Sequence, residues 1–338
     1  MNSKILKSIN FFVFLALGIL LLYFAFREID FNHLLEGLKN ANYFWVFLSL
    51  IFAVISYISR AIRWKLLIEP LNYTPKVRNV FYALMFGYFA NFAFPRIGEI
   101  TRCGSLAKSD KIPMDSLIGT VIIERAIDLI VLLTLLFVVF VAKIEVFGNF
   151  IKETVFIPLY QKIISVIDFS PFYWILIVAL FVGLIGSLYF FRKKFKRVKL
   201  VLKFRRILRG VSSGIKTVTR MKSRSAFLFH TLVIWVCYFL MTYIVVFAIP
   251  ATSNLSPIDG LFLLVIGGLG MTAPVQGGIG AFHWIVSSAL SLYEISKLEG
   301  LTFATIQHES QALLVILLGT FSVLMLFINS RRRRKNNI

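Results

Sequence analysis

Negative charge is scarce in this sequence. Against 37 Lys and Arg it holds 16 Asp and Glu, and charged residues occupy only 16% of its 338 positions. An ordinary soluble domain carries about a quarter. The shortfall argues against a water-facing surface all round. Cysteine is scarcer still. Cys103 and Cys237 stand outside any CxxC pair, so neither a disulfide framework nor a metal site is indicated. HExxH, GxSxG, P-loop and protein-kinase signatures are also missing, which leaves a hydrolase or an ATP-driven pump without support. No cofactor is expected.

What is present is apolar. Hydrophobic residues make up 58% of the chain, with 35 Phe among them. Runs at about 10–26, 43–63, 117–142, 172–191, 226–249 and 303–328 are long enough, or nearly so, to cross a bilayer as helices. The fold class is therefore an all-α polytopic membrane protein. Two further stretches are broken. In 80–116 a run of roughly fifteen apolar residues ends at Pro95. In 259–293 the apolar run is interrupted by GGLGMTAPVQGGIGAF. Lys4 and Lys7 before the first run imitate a signal peptide, but no small-x-small cleavage site follows, so an uncleaved first helix is expected.

The net charge of +21 does not point to nucleic acid, because the basic residues lie in loops between apolar runs. That is the positive-inside pattern, with contact to anionic inner-leaflet lipid. The segment 192–225 carries fourteen Lys and Arg and no Asp or Glu, which places it in the cytoplasm. Its Val201, Phe204, Leu208, Val211, Ile215 and Val218 recur at helical steps. They read as an amphipathic surface helix, or more plainly as a topogenic linker. The segment 143–171, with three Lys, is expected outside, and the basic tail 331–338 inside. A re-entrant 80–94 puts Lys4, Lys7, Arg60, Arg63, Lys65, Lys76 and Arg78 inside, against Arg27 and Lys39 outside. Both termini are then cytoplasmic. Arg60, Arg63 and Lys65 around Trp64 read as an interfacial anchor.

This topology makes two halves, 1–142 and 172–330, of opposite sense. Each carries two spans, a re-entrant or broken element, and a span. The outline of AFPRIGEI (Ala93–Ile100) returns weakly in TAPVQGGIGAF (Thr272–Phe282). Inverted repeats with broken helices near the midplane are a transporter architecture.

Candidate functional residues cluster at these breaks. Asn91, Pro95, Arg96, Gly98, Glu99 and Arg102 form the first. A guanidinium fork suits phosphate oxygens, so Arg96 and Arg102 can hold an anionic headgroup, with Glu99 orienting them. The plainer reading is a loop with surface charges. In the next span Glu124, Arg125 and Asp128 interrupt an uncharged helix, where a charge costs about 2.5–3.5 kcal/mol at the centre. They serve a polar cavity or brace the bundle. In the second half Pro274, Gln276, Gly277, Gly278 and Gly280 allow close backbone approach or helix packing, with His283 nearby. His308 and Glu309, flanked by Gln307 and Gln311, open the last span as a titratable or hydrogen-bonded cluster.

RAIRWKLLI, NFAFPRIGEITR, ERAID and APVQGGIGAF together resemble the family named for the transmembrane region of lysylphosphatidylglycerol synthase, over about 10–328. The resemblance implies a bacterial or archaeal plasma-membrane protein of flippase-like type. Bifunctional relatives move aminoacylated phospholipid between leaflets and make it with a cytosolic domain, so synthesis is not carried over here. Many relatives have P-x-P-G-G-x-G followed by an acidic residue. This chain has Gln276 for the second proline and His283 near the acidic position. The expected function is a flippase-like transporter of a phospholipid or lipid-linked headgroup. Arg96, Arg102 and Arg125 would hold phosphate, while Glu99, Glu124 and Asp128 meet a cationic group or take protons. The alternatives are an integral-membrane transferase, with Glu99 or Asp128 as general base, and a scaffold docking a partner on 192–225.

Overall fold

The computed structural model describes residues 3–27, 29–144 and 221–335. Among them are ten α-helices: α1 (Ser3–Phe26), α2 (Phe31–Lys39), α3 (Tyr43–Ile68), α4 (Val77–Ala93), α5 (Gly98–Asp110), α6 (Met114–Ala142), α7 (Arg224–Tyr243), α8 (Pro257–Met271), α9 (Ala281–Leu290) and α10 (Lys297–Lys335). The expected span at 172–191, and nearly all of segments 143–171 and 192–225, lie outside the described residues. Four helical stretches are long and apolar enough to cross a membrane: Tyr43–Leu71, Met114–Ala142, Arg224–Ala248 and Lys297–Asn329. Leu15–Phe26 and Pro257–Met271 are shorter apolar helices. This is an all-α polytopic membrane protein.

Local sequence sets several helix ends. The Asn42 side chain accepts the Phe44 N–H at 3.1 Å and starts α3. Asp30 caps α2, and the Asn32 amide it accepts holds its carboxyl below the usual range. Ser256 and Asp259 form a capping box at α8, with Pro257 in the first turn. The long helices are turned inside out relative to soluble ones. On α3, Phe44, Phe47, Ile51, Ile55 and Ile58 are exposed at helical spacing, while Ser49, Ala53, Ser56, Arg60 and Arg63 are buried. The large apolar face suits lipid, and the small and polar face packs against protein.

The two broken stretches are helical hairpins. Where the sequence reads most plainly as a loop with surface charges, α5 is a regular helix folded back on α4. Phe94 precedes the proline in extended backbone, and Arg96 turns the chain at φ +63°, an uncommon conformation for a residue with a side chain. The Asn91 side-chain oxygen Oδ1 then accepts the Gly98 N–H at 2.8 Å, tying α5 to α4. Gly87 and Gly98 bring the two backbones together; a Cβ on Gly98 would lie 2.3 Å from the Gly87 oxygen. At the far ends Asn79 donates to both Asp110 oxygens at 3.1 Å, so the helices run antiparallel over their length.

The second hairpin joins α8 to α9. A Cβ on Gly270 would come within 3.1 Å of the Phe282 backbone, and the Phe262 and Tyr293 rings meet at 5.9 Å further along. Gly277, Gly278 and Gly280 turn its tip at φ +58°, +81° and +81°.

The hairpins rise from opposite ends of the bundle. Trp64, Ile68, Val80, Leu106 and Leu117 share one apolar cluster, which takes in the base of the first hairpin. Val139, Val245, Phe262, Leu290 and Phe303 share the other, at the base of the second. Helices α3 and α6 run from one cluster to the other. Lys143, just past α6, reaches Asp259 at 2.6 Å. The hairpin tips meet between these ends: Arg96 donates through Nη2 to the Thr272 carbonyl at 2.6 Å, and Gly277 sits against the Phe92 ring.

Candidate functional site

An ionic network lies behind the first tip. Glu124 on α6, with no exposed surface, is its hub. Its Oε1 accepts from Arg60 Nη2 at 3.0 Å and Arg63 Nη2 at 3.3 Å, and its Oε2 from Arg102 Nη2 at 2.9 Å. Asp128, one turn on, takes Arg63 Nη1 at 2.7 Å and Arg60 Nη2 at 3.3 Å. Glu99 pairs closely with Arg125 and lies 3.5 Å from Arg102 Nε. Arg125 also approaches Asp128 at 4.0 Å. Four guanidinium groups against three carboxylates leave one positive charge in excess. Burying one partner of such a set alone would cost several kcal/mol, and mutual compensation is what makes this cluster tolerable.

Aromatic rings complete the packing. Arg102 lies over Trp64 at 4.6 Å and Arg60 over Tyr88 at 5.6 Å. Trp64 Nε1 donates to Thr120 Oγ1 at 2.9 Å, and Arg60 Nη1 donates to the Tyr238 hydroxyl at 2.6 Å.

Arg60 and Arg63 correct the sequence reading. They are not an interfacial anchor: they are 6% and 0% exposed and hold the two acids of α6. The usable signal was the buried stripe Ser49, Ala53, Ser56, Arg60 and Arg63 on α3, small and polar residues opposite a Phe and Ile face. Removing these two from the loop-charge count still leaves Lys4, Lys7, Lys65, Lys76 and Arg78 against Arg27 and Lys39. The basic residues still outnumber those on the other side.

Between the tips lies a cavity of about 500 Å3. Arg60, Arg125, Tyr88 and Asn91 line one side of it, and Gln307, His308 and Gln311 of α10 contribute another. Much of the remaining wall is apolar, including Leu263, Met271, Phe282 and Val315. Glu99, Arg102, Glu124 and Asp128 stand behind this wall and do not line it. Arg96 is at the tip contact.

The second tip is held differently. His308 joins the Gly277 carbonyl at 2.9 Å through Nε2 and Glu309 at 2.9 Å through Nδ1. His283, on α9, lies 3.4 Å from the same Glu309 oxygen. These three residues bring possible ligand atoms within 4.8 Å of one another, a donor set that can hold a transition metal. His308 and Glu309 do not open the last helix; α10 starts at Lys297, three turns earlier. Gln276 is buried near Gly18 of α1, and Pro274 lies in the turn leading to it.

The sequence model of the lysylphosphatidylglycerol synthase TM region matches residues 11–319. The chain belongs to that family. A protein of Methanocaldococcus jannaschii described as a UPF0104 membrane protein is 29% identical over 131 residues. That match covers 38% of this chain and 38% of the relative, so it spans well under half the length of either. No solved structure matches the chain.

Proposed function

We propose that the protein is a flippase-like transporter that moves a phospholipid or lipid-linked headgroup between the leaflets of a plasma membrane. The observation that carries this reading is the cavity where two helical hairpins, rising from opposite ends of the bundle, touch tip to tip. Irregular backbone at membrane depth is tolerated where it lines a polar cavity, and paired broken helices mark transport sites. Read this way, both hairpins are re-entrant, the first from the cytoplasm and the second from outside, and both termini are cytoplasmic. The headgroup passes between the tips while acyl chains stay in lipid. Arg60 and Arg125 present positive charge to it. The family's name, which refers to lysylphosphatidylglycerol synthase, supports a lipid as cargo.

The transferase alternative asks Glu99 or Asp128 to act as a base. Both are engaged by guanidinium groups, which occupy the oxygens a proton would need. The test is leaflet exchange in proteoliposomes holding the purified, folded chain and fluorescent or chemically tagged phospholipids. Protein-dependent exchange is expected. No exchange of any anionic or zwitterionic phospholipid would overturn the reading.

A further inference from the structure

The cavity wall has a chemical bias that the family's name does not contain. Among the described residues, none of those lining it is an aspartate or a glutamate. The acids of the network are turned to arginines, and Glu309 is turned to His283 and His308. A positive headgroup entering here would meet Arg60 and Arg125 first, because the carboxylates that pair them, Glu99, Glu124 and Asp128, stand behind the wall and are already engaged. An anion meets the network's one uncompensated charge. Arg125, with 42% of its side chain exposed, is the network arginine that reaches the open space most.

The neutral groups add a second constraint. The buried Tyr88 hydroxyl and Arg60 Nε have no protein partner. Gln311 has neither amide atom paired, and Gln307, which donates to Thr242 Oγ1 at 3.0 Å, has its Oε1 unpaired. Buried polar atoms are ordinarily satisfied, and these belong to residues that line the cavity, where a ligand can reach them. They comprise both donors and acceptors. A hydroxyl both gives and accepts, and so suits such a wall; an ammonium gives only, and a bare ester accepts only.

We propose that this cavity selects a lipid phosphate carrying a neutral, hydroxyl-bearing substituent, and disfavours the ammonium-bearing headgroups. The inference rests on the headgroup-site reading above, but concerns binding, so it is tested apart from transport. Gln311 and Gln307 then read the hydroxyls, and Arg60, Arg125 and Tyr88 hold the phosphate.

The experiment is a binding panel on the purified full chain in nanodiscs or detergent, by native mass spectrometry, using four lipids with identical acyl chains. Phosphatidylglycerol is expected to bind about tenfold or more tighter than phosphatidylethanolamine and lysylphosphatidylglycerol, a gap of about 1.4 kcal/mol or more. It should also bind several-fold tighter than phosphatidylmethanol, which has the same charge and no hydroxyl. Gln311→Leu should erase the second preference and keep the first. Gln311→Glu should shift the first toward the ammonium lipids. Equal or tighter binding of either ammonium lipid by the wild-type chain overturns the proposal, and so does indifference between phosphatidylglycerol and phosphatidylmethanol. The wild-type panel decides even if a variant fails to fold. Glycerol phosphate in solution should not compete; equal competition would refute a lipid source. If liposomes show no leaflet exchange while this order of affinities holds, the transport reading fails and the headgroup inference stands.

Discussion

The two hairpins share a plan and differ in what holds their tips. The first is backed by charge. Arg102 on α5 is tied to Glu124, and through it to Arg60 and Arg63 of α3. The second is backed by closeness. Three glycines in left-handed conformations let its backbone press against α1, Met271 and Phe92, and His308 donates one hydrogen bond through Nε2 to the Gly277 carbonyl. Close backbone contact that a single added carbon would break is thus common to both, at Gly98 and at Gly280, and the first hairpin adds attraction between charges compensated before any ligand arrives.

The largest effect is expected on the charged side. Glu124→Gln removes the hub carboxylate and leaves three buried guanidinium groups sharing less negative charge. A loss of about 3–5 kcal/mol is expected. It should be read as a collapse in the yield of monodisperse protein or a steep fall in thermal midpoint. Survival of the fold would mean that water, not burial, surrounds Glu124.

Next come the contacts. Gly98→Ala places a Cβ 2.3 Å from the Gly87 oxygen, and Gly280→Ala places one 2.7 Å from the Gly18 oxygen at φ +81°. In both cases the obstacle is backbone, which cannot rotate away. Each should cost about 1–3 kcal/mol by overpacking, with strain added at Gly280. Thermal unfolding in one detergent compares them. A larger loss at Gly98 would show that the first hairpin depends on closeness as well as charge.

Arg96→Gly tests the junction. It deletes the hydrogen bond to Thr272, worth about 1 kcal/mol, and relieves a left-handed conformation of similar cost, so stability should change little. Hydrogen exchange at residues 272–280 should rise, because the tip loses its tether. Unchanged exchange there would dissociate the two tips.

The smallest effect belongs to Gly104→Ala on α5. Its Cβ would meet nothing within 4 Å, and alanine favours helix, so the change should be neutral or stabilising by up to about 1 kcal/mol. A clear loss at Gly104, in the same unfolding assay, would reveal a packed face not apparent around this helix.

Legibility in the sequence followed how local each cause is. Glu124 and Asp128 stood out because charges in an apolar helix have no cheap explanation. The break at Pro95 was visible because proline restricts the residue before it. Helix α5 was not, since its polar composition reads equally well as a loop. Arg60 and Arg63 sat near the end of a span, where arginines usually face headgroups, and only the stripe of small residues beneath them pointed inward.

Apolar run length and composition determined the membrane class by themselves, because covering a bilayer core with helix demands them whatever the chain does elsewhere. The motif residues were enough to suggest the family. Only the tertiary structure decided that Arg102 is a strut tied to Glu124, that Arg60 is a cavity residue, and that the two tips touch. Those facts depend on which carboxylate lies within about 4 Å of which guanidinium. Arg96 and Thr272, 176 positions apart, become neighbours only once both hairpins have folded from opposite ends of the bundle.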